Sequence, residues 1–225
     1  MAEKTRAWIA WSSGKDAAWA LHKVRREGAI VVTGMLVTIT DPFGRASMHA
    51  VREELVDAQA ASAGIPLHKV RIPSPCSNEQ YEALMGRAVE EARNEGVECF
   101  IFGDVFLEDV RRYREEKLGG AGMKAHFPLW GTDTKALAEE MISGGLKAVV
   151  TCIDPRKMPQ WLAGADYDGA FLEVLPAGAD PCGENGEFHT FAWDGPMFAR
   201  PTRILKGTTV SRDGFIFTDV VGAGG

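Results

Sequence analysis

Thr5-Arg6-Ala7-Trp8-Ile9-Ala10-Trp11-Ser12-Ser13-Gly14-Lys15-Asp16 decides how the chain is read. Its first seven residues form a short apolar run, the next are Ser, Ser and Gly, and Asp16 to Glu27 then carries Ala17, Ala20, Leu21 and Val24 at helical spacing. A strand, a tight polar turn and a helix follow one another without a spare residue.

The same alternation continues downstream. Ile30 to Thr40 is a β-branched run and Ser47 to Ala63 repeats apolar residues at Met48, Val51, Leu55 and Ala58, which predicts a second strand and helix. Ile65 to Val70 reads as a third strand. Asn78 to Glu95 reads as a helix started by Ser77 or Asn78 and stopped by Gly96, and Val97 to Phe102 as a fourth strand. After Gly103-Asp104 come a charged helix over Glu108 to Leu118, another over Thr132 to Ser143, and a fifth strand over Lys147 to Ile153. Strands alternating with helices predict an open parallel sheet with helices on both faces, a Rossmann-like α/β fold that binds ligands at the carboxyl ends of its strands. From Asp154 onward prolines punctuate short strand-like pieces, so the expected division is a nucleotide-binding domain over 1–153 and a small α+β lobe over 154–225.

Composition narrows the function classes. A formal net charge of −6 argues against a surface built to follow a nucleic-acid backbone. No apolar run approaches the ~20 residues that span a bilayer, and Met1 to Arg6 has no signal-like apolar segment, so a cytoplasmic protein is expected. Cys76, Cys99, Cys152 and Cys182 form no C-x-x-C pair and have no zinc spacing; Cys99 and Cys152 read as small core residues, as do Trp8, Trp11 and Trp19.

Two stretches carry chemistry. The Ser12–Asp16 turn between strand and helix aims backbone N–H groups and the helix dipole at one spot, which favours an anion; Lys15 adds charge, and Asp16 can hold a cation. Ser12, Ser13 and Asp16 are equally good helix-capping residues, so the residues alone leave both readings open. Asp180-Pro181-Cys182-Gly183-Glu184-Asn185-Gly186-Glu187-Phe188-His189-Thr190 packs two acids and an imidazole within six residues. If it is extended, Glu187 and His189 share a face, an arrangement suited to acid–base work; a glycine-rich hairpin with solvated acids is the plainer alternative. Arg112 or Arg114, following a strand end, can face phosphate or substrate, or lie on a solvated helix face; His49 sits at the expected cleft rim.

Ser12-Ser13-Gly14-Lys15-Asp16-Ala17 resembles the PP-loop of the ATP pyrophosphatases, written S-G-G-x-D-S, with Ser13 in place of the first glycine and Ala17 in place of the last serine. Glu184 to Thr190 resembles the E-x-G-E-[FY]-H-[TS] signature of the diphthine–ammonia ligase family. Asp104 with Asp109, Arg112, Arg114 and Glu116, then Pro128-Leu129-Trp130 and Val149 to Ile153, extend the likeness from Trp8 to His189. The resemblance implies ATP and magnesium as cofactors, cleavage of ATP to AMP and pyrophosphate, adenylation of a carboxylate, and its amidation by ammonia. It assigns Ser12, Ser13, Gly14, Lys15, Asp16 and Gly103 to ATP, with Asp16 on the metal. Glu184, Glu187, His189, Asp104, Arg112 and Arg114 fall to catalysis, and Gly183, Asn185, Gly186, Thr190 and His49 to the substrate. The family's named acceptor is the modified histidine of translation elongation factor 2; the acceptor of this chain stays unidentified, and a homodimer stays open. Two alternatives predict other features: activation of a tRNA base calls for a cysteine pair and a basic extension, whereas a nucleotide-binding sensor without turnover is consistent with Ala17.

Overall fold

A computed structural model describes residues 4–41, 43–47 and 50–223. The opening stretch folds as read: β1 (Thr5–Ala10) runs into a four-residue turn and α1 (Lys15–Glu27), whose Ala17, Ala20, Leu21 and Val24 are buried. Gly28 ends the helix in the left-handed conformation that glycine adopts without steric cost. β2 (Ile30–Thr40) returns parallel to β1. The helix expected from Ser47 starts later: a two-residue strand, β3 (Arg45–Ala46), pairs antiparallel with the end of β2, and α2 (Glu53–Ala63) follows. Met48 and His49 lie outside the described residues.

β4 (Leu67–Ile72) joins the far edge of β2, and α3 (Asn78–Asn94) crosses back under a capping box in which Ser77 and Gln80 each accept the other's backbone N–H. β5 (Cys99–Ile101) takes the opposite side of β1, followed by α4 (Glu108–Gly120) and β6 (Lys124–His126). β6 escapes the sequence reading because three residues carry too little period to register. The strand order β4-β2-β1-β5-β6 is parallel throughout and Rossmann-like, and the chain changes direction across the sheet between β1 and β5. Both strands end at that switch point, where open α/β sheets bind ligands.

Alternation along the strands divides the core. Ala7, Ile9, Met35, Val37 and Ile101 face α1 and α2, whereas Trp8, Leu36, Ile72 and Phe100 face the side of α3 and α4. Trp8, Trp11, Trp19, Cys99 and Cys152 are buried, as expected.

After α5 (Thr134–Ser143), β7 (Lys147–Ile153) does not extend the parallel sheet. With α6 (Gly169–Glu173), β8 (Phe188–Asp194), β9 (Ile204–Arg212) and β10 (Phe215–Gly222) it builds a second, antiparallel region of order β8-β7-β10-β9. Its buried apolar run fits the middle of either kind of sheet, so only pairing distinguishes them. Residues of this sheet, such as Val149, Ile153 and Phe191, belong to the same core as α1, which places β8 against the start of that helix.

Candidate active site

The phosphate-type turn is built with help from the other signature. Ser13 stands in the left-handed conformation, φ 70°, at the position where the PP-loop pattern has glycine. Its carbonyl accepts from Ala192 N–H of β8 at 2.9 Å and from Gln59 Nε2 at 3.0 Å; Gln59 also donates to Ala192 O and accepts from Trp11 Nε1. These bonds hold a conformation a serine would otherwise leave. Gly14 is the helix N-cap and donates to Ser12 Oγ at 3.3 Å, while the Lys15 N–H donates to Thr190 Oγ1 at 3.1 Å.

Lys15 is 2 % exposed, and its Nζ donates to both Asp16 oxygens at 2.8 Å and to the Cys182 carbonyl. Burial works to lower its pKa, but Asp16, Cys182 and Glu184 outweigh it and hold the ammonium above its ordinary value. The two signatures, 167 residues apart at Lys15 and Cys182, are therefore one hydrogen-bonded unit.

Opposite the turn, Gly103 follows β5 so closely under α1 that a Cβ there would lie 2.8 Å from the Asp16 carbonyl carbon. Only glycine lets the strand end meet the helix start. Asp104 receives Arg114 Nη2 at 3.0 Å through Oδ1, while its buried Oδ2 has no partner among the described residues. Burial raises the Asp104 pKa, Arg114 pulls it back, and Asp16 adds repulsion. Glu184 accepts from Val105 N–H at 2.8 Å. Burial first, offset by that hydrogen bond, and then the charges of Asp16 and Asp104 push it up to about 7. Ser12, Lys15, Asp16, Gly103, Asp104, Arg114, Gly183, Glu184, Gly186, His189 and Thr190 all line one cleft of about 1000 Å³.

Other expected residues lie elsewhere. Ser13 and Gly14 shape the turn from beneath and do not line the cleft. Glu187 does not share the cleft with His189. It precedes β8, is 3 % exposed, and accepts from Asp180 N–H at 3.1 Å and Asn185 Nδ2 at 3.3 Å, bracing the turn that presents Glu184. Asn185 is exposed, its carbonyl accepting from Lys157 Nζ at 2.6 Å. Arg112 is exposed on the outer side of α4 and is absent from the cleft wall, so of the two α4 arginines expected there Arg114 faces it; Arg93 of α3 also lines the cleft. Two contributors had gone unread. Asp180 Oδ1 accepts from Cys182 N–H at 2.8 Å and Glu184 N–H at 3.2 Å, and Gln59 braces Ser13. The Asp-Pro pair at 180–181 is a turn signal that could have revealed the first; nothing local marks Gln59.

The chain is 28% identical to a protein named diphthine–ammonia ligase from Danio rerio, over 93% of this chain and 90% of that one. Proteins of the same name from Bos taurus and Rattus norvegicus are 24% and 23% identical, covering 93% and 84% of this chain and 86% and 79% of theirs. Residues 5–125 match the family described as diphthamide synthase N-terminal domain, more than half of the chain, and the chain belongs to that family.

Proposed function

We propose that the chain is an ATP-dependent, amide-forming ligase of the diphthine–ammonia ligase kind, adenylating a carboxylate and passing its acyl group to ammonia. The observation that carries this reading is the union of the two signatures through Lys15, Cys182 and Thr190 at one cleft. In it, the N-terminal amides of α1 take the β- and γ-phosphates, and Gly103 lets the β5 end approach them. Asp16 and the unpartnered Asp104 oxygen offer hard ligands that fit a magnesium ion, which when bound would offset triphosphate charge. A division of labour between this nucleotide-binding part and the C-terminal lobe belongs to the same proposal.

The acceptor carboxylate oxygen attacks the α-phosphorus, and the bond to the β-phosphate oxygen breaks to release pyrophosphate. Ammonia then attacks the acyl carbon, the carbon–oxygen bond to AMP breaks, and the surplus proton passes to a base. Glu184, on the cleft wall with a carboxyl titrating at about 7, suits that role because it exchanges protons at neutral pH. His189 shares the wall and is the neighbouring candidate for proton transfer. Glu187 and Asp180 act as positioning residues for Glu184.

The test is incubation of pure protein with α-labelled ATP, magnesium, ammonium and candidate carboxylates. AMP and pyrophosphate, formed only with acid present, are expected; ADP and phosphate would sink the adenylation reading, and tight ATP binding without turnover would favour a sensor.

A further inference from the structure

The cleft is wider than its phosphate end. α3 turns Tyr81, Met85 and Val89 toward it, residues four apart and so on one side of the helix. α4 faces them with Tyr113, Arg114 and Lys117, and Lys117 Nζ reaches across to Glu82 at 2.8 Å. Phe100 and Phe102 from the β5 region floor the trough between the two helices. Tyr81 and Tyr113 remain 38% and 46% exposed, large side chains left open on facing walls. The Tyr81 phenol is pushed up by burial, with Arg114 of α4 pulling it back.

A cleft of about 1000 Å³ lies at the upper end of the roughly 300–1000 Å³ of a single ligand site. Its lining runs from the phosphate turn at Ser12 to α3 and α4, well beyond the turn itself. The nucleotide belongs to the β1-α1-β2 half, where the phosphate turn and the ends of β1 and β2 lie, because a βαβ unit of this kind carries a mononucleotide along that side of the switch point. The trough opens on the other side, over β5. At its junction with the phosphate end stands Arg114, whose guanidinium is 4.2 Å from the Phe102 ring centre and 3.0 Å from Asp104. A carboxylate drawn to Arg114 would have its body in the trough beside Met85 and Val89, the Phe102 ring being covered by the guanidinium.

We infer that the α3–α4 trough is the acceptor subsite and takes a small carboxylic acid with an apolar body, its carboxylate at Arg114 and its body against Met85 and Val89. This rests on the adenylation reading of the same cleft. Met85 and Val89 are half-buried apolar side chains that reward burial of hydrocarbon, whereas the charged residues of the trough, Glu82, Glu90, Arg93 and Lys117, are exposed and already solvated.

The experiment is calorimetry on the full chain saturated with magnesium and a non-hydrolysable ATP analogue, titrated with acetate, phenylacetate and cyclohexanecarboxylate. The two larger acids are expected to bind at least roughly tenfold more tightly than acetate. Met85→Trp, which fills the trough, should remove that advantage while leaving affinity for the ATP analogue within about twofold; Val89→Lys gives the same reading at a half-buried position if the first variant folds poorly. Equal binding of acetate and phenylacetate overturns the proposal, as does loss of ATP-analogue affinity in Met85→Trp, which would place the base in the trough. An acid that binds tightly and is displaced by Met85→Trp, yet never yields AMP, supports the subsite and overturns adenylation.

Discussion

Ser13 is the residue at which this chain departs from the PP-loop pattern and still meets its geometric demand. A non-glycine residue at φ 70° costs about 1 kcal/mol or more, and the buried Ser13 Oγ has no partner among the described residues. Ser13→Gly is therefore expected to stabilise the protein by about 1 kcal/mol, read from the midpoint of urea unfolding. Glu184 acts in the opposite sense. Its folded-state pKa of about 7 lies above that of an unfolded glutamate, so its contribution to stability is full in acid and is lost as pH rises through 7. Glu184→Gln should raise the melting temperature at pH 8 and change it little at pH 5, while abolishing amide formation; equal shifts at both pH values would contradict the assignment. The Glu184 motif was legible in the sequence because its residues are contiguous. The exclusion of Glu187 from the cleft was not, because alternation applies within a strand and β8 begins only at Phe188.

At the scale of elements, Asp219 of β10 joins the C-terminal hairpin to the segment beside β3. It receives Arg45 Nη1 at 2.8 Å and Arg52 Nη2 at 2.6 Å, and Arg45 also donates to the Ala50 carbonyl at 2.6 Å. Burial opposes ionisation, but Arg52 and Arg45 prevail and hold the carboxyl down at about 2. This contribution is present above the ordinary aspartate range and disappears as pH falls through 2. Because the pair is partly solvated, Asp219→Asn should cost only about 1 kcal/mol at pH 7, with the difference from wild type vanishing in acid. β1, α1, β2, β4 and α3 were legible because each spans several periods of its pattern, and β5 because it sits within the apolar run Val97 to Phe102. The sheet to which β7 belongs was not, since pairing partners about 35 to 65 residues downstream, from Phe188 opposite Ile153 to Phe217 opposite Cys152, decide it. The delayed start of α2 likewise reflects the pairing of β3 with β2, a contact invisible to helical periodicity.

For the whole molecule, nucleotide binding and folding are coupled because the phosphate turn draws on both sheets. Magnesium and ATP at a hundredfold excess over the dissociation constant should add about 2.7 kcal/mol, and so roughly 5–10 °C to the melting temperature of a chain this size. Gly103→Ala should erase most of that shift, because its Cβ would press 2.8 Å from the Asp16 carbonyl carbon and separate β5 from α1.

The hydrogen bond from Ala192 N–H to Ser13 O has a consequence for how the protein breathes. The amide of a residue in β8 exchanges with solvent only when the phosphate turn lets go of it, so its deuterium uptake reports the opening of a loop nearly 180 residues away in the chain. A ligand clamping the turn would slow exchange at Ala192, and by reciprocity any event that loosens β8 would eject the nucleotide. The C-terminal sheet is in this sense the latch of the N-terminal pocket, and residues 5–125 encode a loop that they do not by themselves keep shut.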